Sequence, residues 1–136
     1  MTISRLIQMS FVNNTSAALT YFLPANQPVH GIGPTVTNSN LGPLGSSANT
    51  STVSSNWNNA LAPGPEGTYQ WNLDASNVFT VSYDHPAGAR ETWVKVVCPP
   101  GYVCSSPSTG SNGVNTFTDP SLEQHEAAIT ITISPV

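Results

Sequence analysis

Apolar and polar residues alternate one by one through most of this chain, and that period of two limits the fold more than any other feature. Ile7, Met9 and Phe11 alternate with Gln8 and Ser10, and Tyr69, Trp71 and Leu73 with Gln70 and Asn72. The same holds for Phe79, Val81 and Tyr83 around Thr80 and Ser82, and for Ile129, Ile131 and Ile133 around Thr130 and Thr132. Successive side chains of a β-strand point to opposite faces, so each stretch reads as a strand with one buried and one wet face. Leu19, Tyr21 and Leu23 resume the pattern after the turn-like Asn13-Asn-Thr-Ser16, which predicts a hairpin. In Thr92–Cys98, Val94, Val96 and Cys98 form one face and Trp93, Lys95 and Val97 the other. Weaker strands are expected around Val29 to Val36, Thr52 to Trp57 and Val114 to Thr118.

This many short strands in 136 residues predict an all-β fold. The expected architecture is a single-domain antiparallel β-sandwich over residues 1–136, jelly-roll-like or Greek-key, with a barrel-like closure as the variant. Helix is expected only at 119–126, where Asp119 caps a first turn opened by Pro120. Met1 to Leu23 holds no Gly or Pro, and Ile3, Leu6, Ile7 and Phe11 also share a helical face, as an insertion helix requires. The alternation from residue 7 to 11 favours a strand there. Two polar stretches, 37–51 and 99–113, read as long loops able to carry a binding site.

Charge narrows the function classes. Only 7% of residues are charged, against about 25% in ordinary soluble domains, while Ser, Thr and Asn together fill about a third of the chain. The surface is therefore polar but nearly neutral. Arg5, Arg90 and Lys95 are the only basic residues besides histidine, and the net charge is -4, so phosphate neutralisation by a cationic stripe is excluded and nucleic acid is no partner. Anionic lipid is excluded on the same ground, and membrane contact is expected only through neutral lipids. The N-terminus shows no uninterrupted apolar core or small-residue cleavage site of a signal peptide, which predicts a cytoplasmic or leaderless protein unless the chain is a processed one.

The sequence lacks the spacing of a zinc site, a phosphate loop or a nucleophile elbow, and no cofactor, metal or catalytic residue is assigned. Its seven carboxylates do not reveal from sequence which of them converge. The material for recognition is better. Trp57 lies in Asn56-Trp-Asn58-Asn59, an aromatic face flanked by planar amides; Trp71-Asn-Leu-Asp74, Tyr83-Asp84-His85 and Tyr102 repeat that chemistry, and Trp93 beside Lys95 on an outer face points to a contact surface. An aromatic face stacks on the C–H face of a sugar while amides and carboxylates match adjacent hydroxyls, with no charge required of the ligand. Trp71 and Tyr83 alternate with polar residues and are expected in the core.

These residues predict a non-enzymatic binding protein, a small lectin-like module for neutral glycans. A membrane-active cytolysin or lipid-binding defence protein is the second reading, and a self-assembling structural protein the third; a low-charge surface also favours a homo-oligomer. Cys98-Pro-Pro-Gly-Tyr-Val-Cys104 contains both cysteines. Pro-Pro and Gly101 bring its ends together, so a Cys98–Cys104 disulfide presenting Tyr102 is expected, or free thiols in a reducing compartment.

Overall fold

The computed structural model describes residues 5–57, 64–86, 91–106, 110–111, 113–119 and 126–136, and among these residues the structure is all-β. The strands are β1 (Arg5–Asn13), β2 (Leu19–Phe22), β3 (Ile32–Val36), β4 (Asn40–Leu41), β5 (Thr50–Trp57) and β6 (Glu66–Asn72), then β7 (Val78–Asp84), β8 (Thr92–Cys98), β9 (Tyr102–Ser105), β10 (Gly110–Ser111), β11 (Gly113–Asp119) and β12 (Glu126–Pro135). They form two open sheets, β10-β9-β12-β1-β5-β3 and β11-β8-β7-β6-β2-β4. The sheets pack face to face as a sandwich and do not close into a barrel.

The core is the inner face that the alternation specifies. Ile7, Met9, Phe11, Val53, Ile129, Ile131 and Ile133 from the first sheet meet Leu19, Tyr69, Trp71, Phe79, Val81, Tyr83, Val94 and Val96 from the second, all buried. Phe11 links the layers, meeting Tyr69 edge-on at 6.2 Å and Trp71 at 5.9 Å, and within the second sheet Tyr21 lies 5.5 Å from both of those rings. Such pairs add about 0.5–1.5 kcal/mol each beyond the area they bury. Gly67 faces its register partner Tyr83, and a Cβ there would lie 2.7 Å from the phenol oxygen, so the ring fits only above a glycine.

Two expectations about connectivity are corrected. The sandwich is not wholly antiparallel, because β1 and β12 run parallel, with Leu6 opposite Glu126 and Asn13 opposite Ile133. Parallel partners need a long crossover, and the rest of the chain between these two strands supplies it. Nor do β1 and β2 form a hairpin, since they lie in different sheets and residues 14–18 arch between the layers. Asn13 is the reason. Its buried Oδ1 accepts from the Thr15 N–H (2.9 Å) and hydroxyl (2.7 Å), and its Nδ2 donates to the carbonyls of Ala17 (2.8 Å), Leu41 (3.2 Å) and Gly42 (3.0 Å). One side chain thus satisfies the backbone of a crossover that a ladder cannot reach.

The remaining expectations fare differently. The N-terminal segment from Arg5 is strand, not an insertion helix. The polar stretch 37–51 contains β4 and the start of β5, and 99–113 contains β9, β10 and the first residue of β11. Residues 120–125 of the expected helix lie outside the described residues, while Asp119 ends β11 and Glu126 opens β12.

Burial also sets how this core responds to alkali. Tyr21 is pushed up to about 12 by burial and then by neighbouring Tyr83, and burial raises Tyr69 and Tyr83 as well. Unfolded tyrosine ionises near pH 10, so above that pH the unfolded chain releases protons that the folded chain retains. Stability is therefore full below about pH 10 and falls as pH rises toward 12. Thermal unfolding followed by circular dichroism from about pH 8 to 11.5 checks this. The melting temperature should fall above about pH 10, and less steeply in Tyr21→Phe, which keeps the ring but removes the proton; a flat profile contradicts the assignment.

Candidate functional site

Because the core residues of the second sheet point inward, their neighbours in sequence are set in rows across its outer face. Register aligns Thr118 of β11, Trp93 of β8, Asp84 of β7 and Glu66 of β6, and a bridge to His30 extends that row. His30 Nδ1 and Glu66 Oε1 are hydrogen-bonded at 3.0 Å, both side chains remaining more than a third exposed. Trp57, at the end of β5 in the other sheet, stands edge-on to the His30 ring at 6.3 Å and 81°. The result is a rim along one end of the sandwich: Trp93, two carboxylates on adjacent strands, an imidazole, and a second indole.

The next row consists of Thr116, Lys95, Ser82 and Thr68, with the Thr68 and Ser82 hydroxyls bonded at 3.0 Å. Behind it lie Val114, Val97, Thr80, Gln70 and Phe22. Of these three rows only the rim carries carboxylates, set between aromatic side chains. Carboxylates on directly opposed strand positions have Cβ atoms about 4.5–5.5 Å apart, a spacing that suits two adjacent hydroxyls of one ligand.

Of the residues singled out from sequence, Trp57, Asp84 and Trp93 join this rim. Asn56 does not: strand alternation puts it on the outer face of the first sheet, in register with Leu6 and Ile32, away from Trp57. His85 is also corrected. It shares the inward side of Tyr83, is 3% exposed, and pairs its Nδ1 with the Thr92 hydroxyl, so it supports the β7–β8 corner instead of facing a ligand. Asn58 and Asn59 lie outside the described residues. Tyr102 sits at the opposite end of the sandwich, half-buried, its ring 5.3 Å from Phe79 at 73°. It is held by the core and not lifted free on the turn.

Sequence reasoning missed His30 and Glu66. Nothing in their local sequence marks them, because what unites them is pairing between segments 36 residues apart. Trp71 and Tyr83 are fully buried, as the alternation requires. Among the described residues no group of three His, Cys, Asp or Glu side chains could hold a metal ion.

Cys98 and Cys104 are both buried free thiols, not a disulfide. Cys98 ends β8 in one sheet and Cys104 lies on β9 in the other, so residues 99–101 cross between layers and the two thiols meet across the core. The hydrogen bond from Cys104 lowers the Cys98 pKa, whereas that bond and burial raise Cys104. Cys98 is therefore the better nucleophile of the two.

Comparison with known families and characterised proteins finds no family model that matches the chain and no curated relative. The rim stands on its own geometry.

The thiol contact makes a prediction. When the chain is refolded from denaturant with oxidised glutathione, one thiolate of the pair attacks one sulfur and releases reduced glutathione; the other thiol then loses its proton and displaces the second, leaving an inter-sheet disulfide in the folded protein and two reduced glutathione molecules. Closing a loop of this length should stabilise the fold by about 2.4 kcal/mol. Urea unfolding of the oxidised and reduced forms should show the shift, with both thiols of the reduced form titrating only after denaturation. Equal midpoints would remove the clasp.

Proposed function

We propose that the protein is a non-enzymatic glycan-binding module, and that the rim His30–Glu66–Asp84–Trp93, closed at one end by Trp57, is where a neutral oligosaccharide lies. One observation carries this reading: strand register sets Glu66 and Asp84 side by side between aromatic side chains on an open sheet face. Indole faces stack on the apolar faces of sugar rings, and the carboxylates accept from pairs of hydroxyls. An extended row with adjacent acceptor groups flanked by aromatic groups suits a chain of sugar units lying across the strands. The near-neutral surface supports an uncharged ligand, since there is no cationic cluster to select phosphate or sulfate.

The bond between His30 and Glu66 has a role in this scheme. It fixes the carboxylate at the row's edge and orients the imidazole against Trp57, so less side-chain freedom is lost when a ligand arrives. Trp93, packed on a sheet surface and not within the core, is the residue whose loss separates binding from folding.

Screening on an array of neutral glycans tests the proposal, followed by titration calorimetry with the strongest ligand. Trp93→Ala should weaken binding about tenfold, or about 1.4 kcal/mol, while unfolding free energy changes by less than about 0.5 kcal/mol. Glu66→Gln should weaken it by a similar factor. Absence of binding to any neutral glycan, or full affinity in Trp93→Ala, would sink the proposal.

A further inference from the structure

At the end of the sandwich opposite the rim is a cavity of about 400 Å³, walled by residues 14–17 of the arch, Leu44, the Gly101–Tyr102 turn and Pro135. This is within the roughly 300–1,000 Å³ range of small-molecule sites. None of its lining residues is charged. Three features distinguish it from a surface dent.

First, its walls are held in place by bonds from beneath. The Asn13 hub fixes the arch, the Leu44 N–H donates to the Thr15 carbonyl at 2.8 Å, the Asn14 N–H to that of Ile133 at 2.8 Å, and the Val136 N–H to that of Gly101 at 3.0 Å. Second, its apolar groups are placed for contact. Tyr102 is braced against Phe79, and Leu44, which lines the cavity, stands 63% exposed. Third, its polar groups are divided: the Thr15 hydroxyl is spent on Asn13 and Ala17, while the side chains of Asn14 and Ser16 are not used in the described hydrogen bonds. A fixed concave wall offering an aromatic ring, an aliphatic side chain, an amide and a hydroxyl matches a compact ligand with one apolar face and several hydroxyls.

We propose that this cavity is a second binding site, for a single uncharged hydroxylated ring of the size of a monosaccharide. The ring lies against Tyr102 and Leu44, and its hydroxyls are taken by Asn14 and Ser16. The site is independent of the rim, at the other end of the strands, and shares no residue with it. Its neutrality excludes sugar phosphates and uronic acids as preferred ligands, because no cation lines the wall to balance their charge. Preorganisation by the Asn13 hub means that binding orders little of the protein, so even a small ring can be held.

The test uses neutral methyl pyranosides and methyl N-acetylaminopyranosides, each titrated at millimolar concentration into the isotopically labelled full chain and followed by amide NMR. At least one should shift the amides of Thr15, Ser16, Ala17, Leu44, Gly101 and Tyr102. Two variants at exposed positions then check the assignment without touching the core: Ser16→Trp fills the cavity and Leu44→Asp puts a charge at its mouth. Each should weaken the response at least tenfold while its melting temperature stays that of the parent, and Trp93→Ala should leave the response unchanged. The proposal is overturned if no probe shifts these amides, if both variants bind as the parent does, or if Trp93→Ala abolishes the response. Failure of rim binding in the Trp93→Ala experiment leaves the cavity result standing, so the two readings are separable.

Discussion

A strand cannot turn one side chain inward without turning its neighbours outward, and the functional reading of this protein depends on that coupling. The second sheet buries Tyr69 and Trp71, Phe79, Val81 and Tyr83, and Val94 and Val96. Each buried residue obliges Glu66, Asp84 and Trp93 to face the other way, and antiparallel register aligns them. The slip of one strand by a single residue would bury a carboxylate and expose an aromatic ring, so the packing of the core and the composition of the rim are one constraint. Gly67 belongs to the same arrangement, since only a glycine leaves room for the Tyr83 phenol beneath the row.

The two ends of the sandwich solve different problems. At the rim, side chains gather because strands begin or end there in register, and the contact of His30 with Trp57 joins the sheets from outside. At the opposite end the chain crosses between layers repeatedly, and the arch after β1 and the turn after β8 are two of these crossings, each leaving backbone groups beyond the reach of a ladder. Asn13 satisfies the first crossing with its amide. The second is spanned by the thiol contact of Cys98 with Cys104, a lighter tie than a covalent bond. Crossings that do not run flush with the sheets leave a concavity between them, which accounts for the cavity forming at this end.

Alternation is a local property, and what is local was legible in the sequence. The strands around Ile7, Tyr69, Phe79, Val94 and Ile129, the burial of Trp71 and Tyr83, and the outward side of Trp93 all follow from it. Two errors of side came from reading composition instead of parity: Tyr83 inward already implies His85 inward, and Trp57 and Asn56, as neighbours on one strand, cannot share a face. Pairing, by contrast, is not local. Nothing in Asn13-Asn-Thr-Ser16 distinguishes a hairpin turn from a crossover until the carbonyls of Leu41 and Gly42, 28 and 29 residues away, are seen to be its partners. His30 and Glu66 were equally hidden, because a shared row arises from register between distant segments.

The chain has three tryptophans, and each indole N–H gives its own NMR signal. Their response to a panel of neutral di- to tetrasaccharides is the most direct test of a core-imposed binding row. A bound saccharide should move the Trp93 indole signal most, move that of Trp57, and leave that of buried Trp71 in place. A saccharide that binds without moving Trp93, or a panel that moves none of the three, would contradict such a row.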